Sequence, residues 1–216
     1  MNAALFDGAF VFILLLNLAA LGSSRIDTAI KAVALQGALS GFLPAWFFLA
    51  GGEWHTLALS IGAVAIKGAI IPALLFRALR EAEVRREASP ILGFTTSVVI
   101  GTALTIACFA VAHELIGAGT GVSPLHVPVA LSTISAGSLL MLVRRKAITQ
   151  IVGYLLMENG IFLLSLALPT DVPTPIEVGI LLDLIVAVFV MGIAVFHINR
   201  EFDGMAVDQL EELRES

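Results

Sequence analysis

Three ionisable side chains lie in stretches that otherwise carry almost nothing polar: Lys67 in "IGAVAIKGAIIPALL", Glu158 in "GYLLMENGIFLL" and Asp183 in "VGILLDLIVAVFV". One base and two acids in apolar surroundings are the parts of a proton relay. A low dielectric destabilises the charged form of either type, so neighbouring groups can exchange a proton near neutral pH. Asn159 directly after Glu158, together with Glu177 and His197, are secondary candidates for orienting or passing on that proton. For any of these residues taken alone the plain alternative is structural, a carboxylate that hydrogen-bonds a neighbouring helix or a lysine tied to one acid. Three such groups in one chain favour the relay.

The elements that must position them are membrane spans. Of 216 residues, 58% are hydrophobic and 13% charged, against about 25% charged in an ordinary soluble domain, and the mean hydropathy is +0.99. Apolar runs of membrane-crossing length extend from Ala3 to Leu21, Thr28 to Ala50, Trp54 to Leu79, Gly93 to Ile116, His126 to Val143, Ala147 to Leu168 and Pro175 to Ile198. They are continuous rather than alternating, so the fold class is all-α, a polytopic membrane protein with seven transmembrane helices. A charge at mid-span costs about 2.5 to 3.5 kcal/mol on insertion scales, which predicts that Lys67, Glu158 and Asp183 face protein and find partners. Gly179 and Ala187, four residues either side of Asp183, mark a close helix contact on its face. Gly153, Met157 and Gly160 predict a similar packing edge with Glu158 emerging beside it.

Charge sets the orientation. All basic residues except Lys67 fall on one side: Arg25 and Lys31, Arg77 to Arg86, Arg144 to Lys146, then Arg200 and Arg214. The positive-inside rule places the C-terminus in the cytoplasm and the N-terminus outside. The chain divides into a transmembrane domain over 1–199 and a cytoplasmic tail over 200–216, where Val207, Leu210 and Leu213 recur at helical spacing. A single cysteine, Cys108, excludes an internal disulfide or cysteine metal site, and no extended basic face suits nucleic acid. His55, His113 and His126 sit toward outer span ends, where interfacial hydrogen bonding and a bis-histidine haem are the two readings. Pro44 and Pro72 mark possible breaks in the second and third spans.

The segment "RRKAITQIVGYLLMENGIFLLSLAL", then "PIEVGILLDLIVAVFVMGI" and "MAVDQLEEL", resembles the hydrogenase-4 component E family, membrane subunits of formate hydrogenlyase and related group 4 [NiFe] hydrogenase complexes; "IKGAIIPALL" resembles that family's third span. Residues 147–198 are in turn similar to the K subunit of complex I and the C subunit of multi-subunit sodium/proton antiporters, which carry an intramembrane glutamate in a "GLELMLNA"-like motif. In "GYLLMENG" the glutamate stands three residues later, with Leu155 at the family position, and Asp183 falls roughly where those subunits carry a second glutamate.

The resemblance implies a membrane-arm subunit in a bacterial plasma membrane. Its partners would be antiporter-like subunits and a peripheral hydrogenase module that carries the [NiFe] centre and iron–sulfur clusters. This chain itself offers no redox centre, no dinucleotide fingerprint and no nucleophile–base pair, so no cofactor and no catalytic residue is expected in it. A free-standing secondary transporter and a passive scaffold are the rival classes.

Overall fold

The structure, a computed structural model, describes residues 3–49, 54–81, 90–115 and 123–167. The described residues are helical apart from short connections: α1 (Ala3–Gly22), α2 (Ile26–Leu49), α3 (Trp54–Ala65), a π-helical turn (Ile66–Ile70), α4 (Ile71–Glu81), α5 (Phe94–Leu115), α6 (His126–Val143) and α7 (Ala147–Ala167). Among the described residues, four segments are long and apolar enough to cross a bilayer, at Ser60–Arg80, Phe94–Glu114, His126–Val143 and Ala147–Ala167; a shorter apolar helix covers Phe6–Gly22. The expected seventh span, with Glu177, Asp183 and His197, and the C-terminal tail lie outside the described residues.

Of the two prolines expected to interrupt spans, Pro44 sits inside a helix that continues to Leu49. Pro72 has a larger effect. It follows the π turn, in which the Ile71 N–H reaches back to the Ile66 carbonyl, one residue further than in an α-helix. Proline cannot donate to the carbonyl four residues earlier and its ring crowds that group, so widening the preceding turn relieves the clash. Lys67 is the buried residue of this widened turn.

Helices α1, α2, α7 and α6 each pack on the next, and α6 closes the ring onto α1. The α3–α4 rod lies outside against α2, with α4 also touching α7, and α5 lies against α1 and α6. The tightest seam joins α6 and α7. A Cβ on Gly160 would stand 2.6 Å from the Ile134 nitrogen, and one on Gly153 2.8 Å from that of Met141, while Gly137 meets Met157 backbone from the opposite side. Only glycine lets the two backbones approach this closely, the familiar use of small residues between membrane helices.

The ring's interior is layered. One apolar cluster includes Ala20 and Leu21 of α1, Ile26 to Val33 of α2, Ala136 and Leu140 of α6 and Ile148 to Leu156 of α7. A second contains Phe10 and Ile13, Leu43, Val129 and Ala130, and Leu163 from the same four helices. Between them, on every one of these helices, comes a fully buried polar residue: Asn17, Gln36, Thr133, and the pair Glu158–Asn159. The core is thus cut at one level by a polar stratum.

Candidate functional site

The widened turn at Ile66–Ile70 aims Lys67 at the middle of α7. Its Nζ donates to Glu158 Oε1 at 2.5 Å and to Asn159 Oδ1 at 3.3 Å. Asn159 Nδ2 in turn donates to the Val33 carbonyl of α2 at 3.5 Å. All three side chains are buried, with Lys67 5%, Glu158 2% and Asn159 2% exposed. The lysine passes between helices because Gly37 of α2 leaves room, a Cβ there falling 2.9 Å from Lys67 Cβ. Its ammonium also lies 4.8 Å from the centre of the Phe162 ring, a cation–π contact worth more in a desolvated place. Glu158 Oε2 accepts no hydrogen bond from any described residue.

Beside the pair lies a narrow, partly open cleft of about 10 Å³, walled by Ile30, Val33 and Ala34 of α2, Ile71, Pro72 and Leu75 of α4, and Leu155. The arrangement is a buried acid–base pair with one carboxylate oxygen unpartnered among the described residues, beside a small, mostly apolar cleft. Pairing explains how the charges are tolerated, since opposite charge and hydrogen bonds offset desolvation.

Lys67, Glu158 and Asn159 are therefore brought together, while Asp183, Glu177 and His197 fall outside the described residues. The expected position of the carboxylate needs correcting. Glu158 stands about 200° around α7 from Gly160, at about 100° per residue, on the face toward α2 and Lys67 and not beside the glycine edge. Helix α7 thus packs against α6 along its glycine edge and against α2 on another side.

His126 is engaged within the protein: its Nε2 lies 2.8 Å from the Leu163 carbonyl, and its ring packs 4.9 Å from that of Phe10. His113 is exposed at the end of α5. Among the described residues no three His, Cys, Asp or Glu side chains come together to hold a metal ion.

Sequence reasoning passed over the rest of the polar stratum. Gln36 Nε2 donates to Asn17 Oδ1 at 2.9 Å, Asn17 Nδ2 donates to Thr133 Oγ1 at 2.9 Å, and Thr133 donates to the Val129 carbonyl at 2.8 Å. Single amides in "ILLLNLAAL" and "AVALQGALS" were the available signal. From sequence, Arg144 is only one of the basic residues of the connection Arg144 to Lys146. It is 1% exposed, with Nη2 donating to the Leu21 carbonyl at 2.5 Å and its guanidinium 4.4 Å from the Phe94 ring centre, so it caps the end of α1 and ties α1, α5 and α6.

No family model and no solved structure matches this chain. Hydrogenase-4 component E of Escherichia coli and that of Shigella flexneri are each 29% identical to it over 156 residues, 72% of this chain and 72% of the relative. Similarity to Rv0085 of Mycobacterium tuberculosis, an uncharacterized protein, is broader, 30% identity over 187 residues that cover 86% of this chain and 85% of the relative, and the chain belongs to the family of that protein.

Proposed function

We propose that this chain is a membrane-arm subunit of a hydrogenase complex, and that Lys67 and Glu158 form a proton-transfer station within it. The observation that carries the reading is the buried pair itself: an ammonium 2.5 Å from a carboxylate whose second oxygen has no donor among the described residues. A structural tie alone is best made with both carboxylate oxygens satisfied, because an orphaned buried acceptor is costly. A station that takes up and releases a proton leaves an oxygen free for it. The distant similarity to hydrogenase-4 component E supports the assembly. The [NiFe] centre, the iron–sulfur clusters and the electron donor, formate or another, belong in this reading to partner subunits. Asp183 is the proposed next acid on the path, with Glu177 and His197 flanking it.

The test is proton uptake in proteoliposomes containing the purified complex, measured beside the redox activity of the same preparation. Glu158→Gln keeps volume and hydrogen bonding, so the complex assembles while coupled proton transport falls. Lys67→Met also lowers coupled transport, its loss of stability being read separately from the redox activity of the same preparation, and Asp183→Asn combined with Glu158→Gln is less than additive if the two share one path. Wild-type transport by Glu158→Gln would make the pair a structural tie. A free-standing transporter is separated by native gels, where this chain should comigrate with hydrogenase activity.

A further inference from the structure

The hydrogen bonds of Asn17, Gln36 and Thr133 have a fixed direction. A backbone carbonyl only accepts, so the Val129 oxygen obliges Thr133 to give its hydroxyl proton there. Thr133 Oγ1 must then accept, which turns Asn17 Nδ2 toward it and Asn17 Oδ1 toward Gln36. Gln36 must accordingly present Nε2. Its carbonyl oxygen, Oε1, is left facing away from the chain of bonds and accepts nothing from any described residue, although the side chain is 0% exposed. Reversing every amide would give up the Thr133–Val129 bond and leave the NH2 group of Gln36 without an acceptor, a worse outcome. Three helices are thus used to hold one acceptor in one orientation.

An acceptor built this firmly is a site for a donor. We propose that Gln36 Oε1 binds a hydrogen-bond donor of the smallest kind, a water molecule or its protonated form, inside the polar stratum. The stratum makes a second use available. Gln36 precedes Gly37, whose absent Cβ would stand 3.5 Å from both Asn159 amide atoms, and Glu158 Oε2 is the other unpartnered acceptor at this level. A water donating to Gln36 has its second proton and its lone pairs available to neighbours, so it would be one step of a path toward Glu158 with no net change in the water. That use rests on the function proposed above. The binding site does not.

Infrared spectra of the full-length chain in lipid nanodiscs, recorded in ordinary water and in water enriched in oxygen-18, test it. The wild type should show an O–H stretch of a buried water that shifts with the oxygen isotope. Gln36→Leu should lose that band, Gln36→Glu should keep a shifted one because an acceptor remains, and Thr133→Val should broaden it by freeing Asn17 to turn. Exchange of sodium for potassium should leave it unchanged. No isotope-sensitive band in the wild type, a band indifferent to Gln36→Leu, or a band abolished by sodium would each overturn the site. If the band behaves as expected while Glu158→Gln transports protons normally, the water site stands and the proposed function fails.

Discussion

Lys67 and Glu158 were legible as an anomaly, since charge in an apolar run must be compensated somewhere, and their mutual geometry follows once both are forced into protein. What the sequence could not reveal was which acid the lysine meets, because that depends on how α4 and α7 are brought together across α2. The pair also makes a stability prediction. Removing one partner strands a charge in the core, so Lys67→Met or Glu158→Leu alone should each cost about 3 to 5 kcal/mol, whereas the double replacement should recover a large part of that loss. Thermal unfolding of the three variants in one detergent measures it. A double mutant as unstable as the sum of the singles would mean the two residues act independently. The exposed pair at the start of α2 gives the contrast. Arg25 lies 3.2 Å from Asp27, in solvent, and such a contact contributes about 0 to 1 kcal/mol. Arg25 holds the Asp27 carboxyl below its ordinary 3.8. Its small contribution is therefore present above that pH and fades as pH falls through the lowered value.

At the scale of elements, run length and polarity indicated helices, but two features lay beyond periodicity. The π turn inserts one extra residue per turn, and Pro72 announces an interruption without saying which kind. The pairing of α6 with α7 was half visible: Gly153 and Gly160 suggested an edge, yet the facing Gly137 gains meaning only beside them. That seam predicts asymmetric tolerance. Gly160→Val should destabilise by several kcal/mol, because its side chain would run into the Ile134 and Ala130 backbone, which has nowhere to move. Gly62→Ala on α3, with nothing within 4 Å of the added methyl, should be neutral or slightly stabilising through helix propensity. Comparing unfolding temperatures decides the matter, and equal sensitivity at both positions would refute the close-contact account.

For the molecule as a whole, the layered core and the charge distribution share one axis. Among the described residues, Arg25, Lys31, Arg77, Arg80, Arg144, Arg145 and Lys146 all belong to the end where α1 and α4 finish and α2 and α7 begin. Lys67 alone is withdrawn into the stratum, so its retention there is a matter of pairing and not of topology. The orientation expected from the positive-inside rule puts the basic end in the cytoplasm and the opposite end, with Trp54 78% exposed at the start of α3, outside. Labelling checks this in a Cys108→Ser background, which removes the native thiol. Ser24→Cys, exposed between α1 and α2, should resist an impermeant maleimide in intact cells and react after permeabilisation, whereas Trp54→Cys, and Asp171→Cys in the connection expected from the sequence between the sixth and seventh spans, should react at once. The reverse pattern would invert the molecule. Because the polar stratum is separated from each end by one of the two apolar clusters, inversion would leave its internal geometry intact but exchange the sides between which Glu158 is proposed to pass protons.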